Sequence, residues 1–165
     1  MSQNLMFDVT VDKAAQTVLI TRQFAAELAL VWEAFTTPDV LDQWWAPKPF
    51  QARSKVMEFR VGGRRFYAMV SPDGSERWAI QRYTEIVPME RIKFFNVFAD
   101  ADENPDATGS NWDLTFSEQD GITTVRILVH NESLARMEHL LEGFKLGFTA
   151  ALDSLDDLLR RQSDR

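Results

Sequence analysis

The chain has 165 residues, 45% hydrophobic and 26% charged, with seven glycines and six prolines, which points to one soluble globular domain over 1–165 and excludes a disordered, collagenous or solenoid protein. Eighteen basic against 25 acidic side chains leave a net charge of -7 with no basic run, so no nucleic-acid partner and no membrane surface is expected. The absence of cysteine removes disulfides, thiolate nucleophiles and Cys-based metal clusters.

Met1 to Phe7 lacks the basic start and apolar run of a secretory leader. The uninterrupted apolar stretches fall far short of the roughly 20 residues of a spanning helix, and a cytoplasmic protein is expected. Thr17 to Phe24 (TVLITRQF) alternates, with Val18, Ile20 and Phe24 on one face and Thr21 and Gln23 on the other, which predicts a half-buried strand. A partner strand over Met6 to Val11 would reach it through a turn at Asp12 to Gln16. From Ala25 to Phe35, Leu28, Val31, Trp32 and Phe35 recur at helical spacing. Thr37 is predicted to cap a second short helix, with Pro38 in the first position, where a missing amide costs nothing, and Val40, Leu41 and Trp44 as the apolar stripe. Pro47 and Pro49 end it.

Six strands are predicted next, at approximately 53–61, 64–71, 76–87, 90–98, 111–118 and 123–130. Turn chemistry divides them: Gly62-Gly63, SPDG at Ser71 to Gly74, VPME at Val87 to Glu90 and QDG at Gln119 to Gly121. The long acidic connection Asp100 to Ser110 is expected to be a mobile surface loop. After Asn131 the period changes to 3.6. Met137, Leu140, Leu141, Phe144, Phe148, Ala151, Leu152, Leu155, Leu158 and Leu159 then share an arc of about 120° on one amphipathic helix. Unbroken from Glu132 to Gln162 it would measure about 46 Å, so a late start, fraying or a bend near Gly143 and Gly147 is expected.

This order of elements buries the helical stripe economically if the antiparallel sheet curls around the helix, with Gly62-Gly63 as a candidate bend. The 12 Phe, 5 Trp and 2 Tyr can fill that core or line a hollow beside the helix.

VWEAFTTPDVLDQWW (Val31 to Trp45), RVGGRRF (Arg60 to Phe66), SPDG (Ser71 to Gly74) and YTEIVPMERIKF (Tyr83 to Phe94) occur in that order, followed by GITTVRI (Gly121 to Ile127) and the terminal helix. Together they resemble the SRPBCC or START-like superfamily, and within it bacterial proteins similar to the C-terminal domain of the activator of the heat-shock-protein-90 ATPase. The resemblance runs from about Thr17 to Leu159. It implies an α+β helix-grip fold: a curved antiparallel sheet wrapped around a long C-terminal helix, two short helices after the first strand, and a pocket between sheet and helix. Two positions depart from the family pattern. A common Gly-Trp pair in the last helix is Gly147-Phe148, and a usual glycine in the middle strand is Gln81, which could reshape or narrow the pocket.

Candidate chemistry is sparse. His139 lies roughly 160° from the centre of the apolar stripe and is expected in solvent. His130, at a strand end, either caps the strand-to-helix junction or carries protons at the pocket mouth. No zinc motif exists, and neither a metal nor a cofactor is expected. Asp100, Asp102 and Asn104 begin like a calcium loop, but Pro105 stands where the turn needs glycine and Asn111 replaces the bidentate glutamate. Phosphate-binding glycine loops and nucleophile elbows are absent. Gly143 and Gly147 are read as sites of close helix-to-sheet packing. Alternation sends Arg64 and Arg65 to opposite faces, so either the inward one meets Glu58 or a ligand carboxylate, or both serve at the surface. Of the adjacent Trp44 and Trp45, one can join the core while the other covers the pocket entrance.

The principal expectation is a protein that binds an apolar or aromatic small molecule, with Trp45, Phe66, Trp78, Phe94, Trp112, Phe144 and Phe148 as lining residues. An enzyme of cyclase, hydratase or dehydratase type, suggested by other START-like branches, would draw its acid–base groups from Glu58, Tyr83 and His130, two of which must then converge on one cavity. A chaperone partner follows from the family's name alone, and a homodimer is compatible with the exposed aromatic or helical surface.

Overall fold

The computed structural model describes residues 5–163, so the first four residues and the last two of the polar tail lie outside it. Eight strands form one antiparallel sheet: β1 (Phe7–Asp12), β2 (Thr17–Phe24), β3 (Gln51–Met57), β4 (Arg64–Val70), β5 (Glu76–Val87), β6 (Arg91–Ala99), β7 (Ser110–Gln119) and β8 (Ile122–Asn131). Their order is β1-β2-β8-β7-β6-β5-β4-β3. The short helices α1 (Leu28–Thr36) and α2 (Pro38–Trp44) link β2 to β3, and α3 (Leu134–Ser163) closes the chain. The sheet curves around α3, which is the α+β helix-grip arrangement.

Register explains the concave face. Val9, Ile20, Ile127, Leu114, Ile92 and Ile86 are successive cross-strand partners and make one apolar row. Two residues along each strand, or three on β5 where a bulge lies between Tyr83 and Glu85, Val11, Val18, Val129, Trp112, Phe94 and Tyr83 make the next. Side chains alternate across a strand, so residues in these rows point toward α3 together. They meet Met137, Phe148, Ala151, Leu152, Leu155, Leu158 and Leu159 in one buried cluster.

The same alternation corrects two expected lining residues. Phe66 and Trp78 belong to the opposite, convex face, in a separate cluster with Ala68, Ile80 and Val97. Their rings stack at 4.7 Å, and Lys55 and Arg53 lie over them, so aromatic character here reflects a covered outer patch.

Several boundaries also differ from the sequence reading. The first helix begins at Leu28, because Ala25 to Glu27 carry the chain over the end of the sheet. Thr37 occupies the N-cap of α2 without a side-chain cap bond, and its carbonyl accepts from the amides of Val40 and Leu41 instead. β3 stops at Met57 rather than 61, since the chain turns from Glu58 to Gly63. In that turn Gly62 has φ +86°, the Gly62 amide donates to the Tyr83 carbonyl and the Tyr83 amide to that of Gly63. A Cβ at Gly63 would lie 2.2 Å from the Glu58 carbonyl oxygen, so the glycine pair serves a tight turn against β5 rather than a bend within a strand. The acidic loop after β6 is tied down: the Asp100 carboxylate accepts from the amides of Asp102 and Asn104, and Glu103 pairs with Arg64.

The long helix starts two residues later than Glu132 and continues for 30 residues without interruption, about 45 Å. Ser133 caps it, its hydroxyl oxygen accepting from the Arg136 amide at 3.2 Å, so His130 has no part in that junction.

Candidate functional site

Between the sheet and the first half of α3 the packing opens into a cavity of about 370 Å³. Gly143 and Gly147 help to create it. A Cβ on Gly143 would meet nothing within 4 Å, and one on Gly147 would only touch Pro47 at 3.5 Å, so these glycines mark missing side-chain volume rather than close helix-to-sheet packing. On the sheet side the cavity is bounded by Val18, Tyr67, Phe98, Trp112 and Val129.

Four of the expected lining residues come together here. Trp45, Trp112, Phe144 and Phe148 border the cavity. Trp112 meets Phe144 edge-on at 5.8 Å and Phe148 edge-on at 5.4 Å, while Phe144 and Phe148, one helical turn apart, stack at 5.5 Å. Trp45 approaches Trp112 at 5.7 Å. Phe94 lies one layer behind, stacked on Trp112 at 5.4 Å, and backs the wall without forming it. The adjacent tryptophans at the end of α2 divide as their helical offset requires. Trp44 is fully buried, its indole N–H donating to the Ala34 carbonyl, whereas Trp45 donates to the Tyr67 hydroxyl beside the cavity.

A polar row crosses the concave floor. Arg65, Gln81, Asn96, Ser110 and Asn131 are successive register partners on β4, β5, β6, β7 and β8, and all five are buried. Of the arginine pair, Arg65 is the inward one. Its guanidinium donates to Asp42 at 2.9 Å, to Ser54 at 2.9 Å and more weakly to Gln81 at 3.4 Å, and it faces the Tyr67 ring at 4.0 Å. Arg64 points outward and pairs with Glu58 and Glu103. Further along the row Ser110 accepts from the Trp112 indole at 2.9 Å. Gln81 Nε2 and Asn96 Oδ1 are buried without a hydrogen-bond partner. Sequence reading reaches Gln81 and Arg65 singly but not the row, although its signal is there: Gln81 between Ala79 and Tyr83, and Asn96 between Phe94 and Phe98, put amides at inward positions of apolar alternation.

The three acid–base candidates are not brought together. Tyr83 is buried against Phe59 and Phe94, and that burial holds its phenol up to about 12. Glu58 sits in the outer turn with Arg64 and Arg60. His130 is exposed on the convex face of β8, one residue out of phase with inward Val129 and Asn131. None of the three borders the cavity. His139 reaches its rim while remaining exposed, in keeping with its offset from the apolar stripe. Among the described residues no group of three or more His, Asp or Glu side chains could hold a metal ion, and no helix is long and apolar enough to cross a membrane.

Residues 25–160 match the model of the family described as Activator of Hsp90 ATPase homolog 1-like protein. The chain is similar to protein Ms6760 from Mycobacterium smegmatis, with 30% identity, 96% of this chain and 99% of that chain covered, and a TM-score of 0.87. A protein from Arthrobacter aurescens is 27% identical over 93% of this chain and 91% of its own, with a TM-score of 0.89. The AHSA1 protein from Silicibacter pomeroyi, 21% identical over 88% of this chain and 99% of its own with a TM-score of 0.71, shares the fold. No curated protein matches the chain.

Proposed function

The chain belongs to the Activator of Hsp90 ATPase homolog 1-like family, and from that premise we propose that it is a small-molecule binding protein whose ligand is apolar and ring-bearing and sits between the curved sheet and α3. One observation carries this reading: the aromatic side chains beside α3 surround about 370 Å³ of space instead of filling it. Well-packed interiors leave few voids larger than a water molecule, so an aromatic-walled space of this size suits a guest. Covering about 300 Å² of ligand apolar surface contributes roughly 7 kcal/mol before ordering costs, enough for micromolar affinity. The acid–base set Glu58, Tyr83 and His130 gives no support to a reaction in the cavity, because its members face different surroundings. ATPase activation is named by the family description, and no feature of the cavity adds to it.

A thermal-shift screen of neutral ring compounds tests the reading. Compounds that enter should raise the melting temperature in a concentration-dependent way. A broad set without any shift contradicts it.

A further inference from the structure

The proposed binding role leaves the polar content of the cavity unexplained, and that content specifies the ligand more closely. Asn96 and Gln81 are direct partners across β5 and β6, with 9% and 2% of their surface exposed. One contributes an unpartnered acceptor, Asn96 Oδ1, the other an unpartnered donor, Gln81 Nε2. Leaving such groups buried and unpaired is costly, so a ligand group that pairs them gains affinity. Their neighbours in the row are already engaged, Arg65 by Asp42 and Ser54, and Ser110 by the Trp112 indole. Asn96 borders the cavity and Gln81 lies behind it, so a turn of the two amide side chains would present the pair to a group entering from there. A hydroxyl fits, because it donates and accepts at once.

The mouth carries a second unmet demand. Arg77 and Arg136 both border the cavity, and both place their guanidinium over the Phe98 ring, at 4.1 and 5.5 Å from its centre. Neither makes an ion pair among the described residues. The acids nearest Arg136 are Asp106 and Glu132, and the Glu132 carboxylate is already taken by the Gly109 amide at 2.8 Å. Burial and the adjacent Arg77 both disfavour the charge on Arg136. An anion there would relieve that repulsion. Phe98 lies two residues from Asn96 on the same face of β6, about 7 Å along the strand.

We propose that the ligand is a hydroxylated aryl acid, its hydroxyl seated between Asn96 and Gln81, its ring against Trp112, Phe144 and Phe148, and its carboxylate at Arg77 and Arg136. The inference rests on the binding reading above and narrows it to an anionic phenol or a close analogue. A single benzene ring with para hydroxyl and carboxymethyl groups carries its two polar ends on opposite sides, as the amide pair and the arginines around Phe98 require.

Calorimetric titration of the intact chain with para-hydroxyphenylacetate, phenylacetate, the methyl ester of the former, and indole tests it. The hydroxy acid should bind at least about tenfold more tightly than phenylacetate, which lacks the hydroxyl, and than the ester, which lacks the charge. Asn96→Leu, with its melting temperature recorded as a check on folding, should abolish the difference between the two acids. Equal affinities of the two acids for the unaltered chain would overturn the hydroxyl site, and an ester as tight as the acid would overturn the carboxylate site. Should indole bind while neither acid shows preference, the inference fails and the wider reading stands. If none of the four binds, both fall.

Discussion

The indole N–H of Trp45 donates to the hydroxyl oxygen of Tyr67 across 2.9 Å, joining the end of α2 to β4 at the edge of the cavity. Both residues are buried. Tyr67→Phe would leave the buried indole N–H without its acceptor, costing about 2 kcal/mol in denaturant unfolding. Trp45→Phe added to Tyr67→Phe removes the orphaned donor, so the double variant should lose less than the sum of the single changes. Additive losses would show that the bond does not couple the two elements.

Both tyrosines of the chain are held above their ordinary ionisation range, Tyr67 and Tyr83 alike, chiefly by burial. The nearby Arg65 charge opposes the shift in each case but does not cancel it. Absorbance of tyrosinate in the native protein should therefore lag that of the unfolded chain at pH 10, where unfolded tyrosine is half ionised. The unfolded chain releases these protons first, so it binds fewer protons than the native state between pH 10 and about 12, and stability falls as pH rises through that window. Below pH 10 this contribution is complete. For Tyr83 it amounts to about 3 kcal/mol, of which roughly half is lost by pH 11, so the stability measured by denaturant unfolding should be lower at pH 11 than at pH 9 by about 1.4 kcal/mol.

Arg65 is wholly buried, and Asp42 is its only acidic partner among the described ion pairs. The same carboxylate also accepts from the amide of Ser54 at 2.8 Å and from its hydroxyl at 2.7 Å, so one acid on α2 secures both β3 and β4. Asp42→Ala strands a guanidinium inside the protein and should cost about 3 kcal/mol, lowering the melting temperature by roughly 10 °C. Asp42→Asn keeps an acceptor and should lose less. Equal melting temperatures for all three proteins would remove Asp42 from this role.

The sequence carried the elements and their order because each has its own period. The stripe from Met137 to Leu159 and the alternation in Thr17 to Phe24 read correctly from spacing alone. Faces in the middle strands were harder to assign, since β4 and β5 bury residues on both sides. Tyr67 and Phe66 are equally buried, one toward α3 and one under Lys55, and hydrophobicity cannot tell them apart. Neither could local spacing reveal that Gln81, Asn96 and Ser110 stand side by side, because register is a property of paired strands. Gly143 and Gly147 were legible as small residues, but whether smallness serves contact or leaves space depends on what stands opposite.

Indole N–H resonances offer the most direct test of a cavity that takes a ring-bearing guest, since the five tryptophans report from different places. Trp45 and Trp112 border the cavity, Trp44 lies behind Trp45, Trp32 packs on Phe59 and Phe116, and Trp78 occupies the convex face. Titration of the isotopically labelled chain with a neutral aromatic compound should move the Trp45 and Trp112 signals saturably and most strongly, with Trp78 stationary. Five stationary signals up to the solubility limit, or a Trp78 shift as large as that of Trp112, would contradict the account.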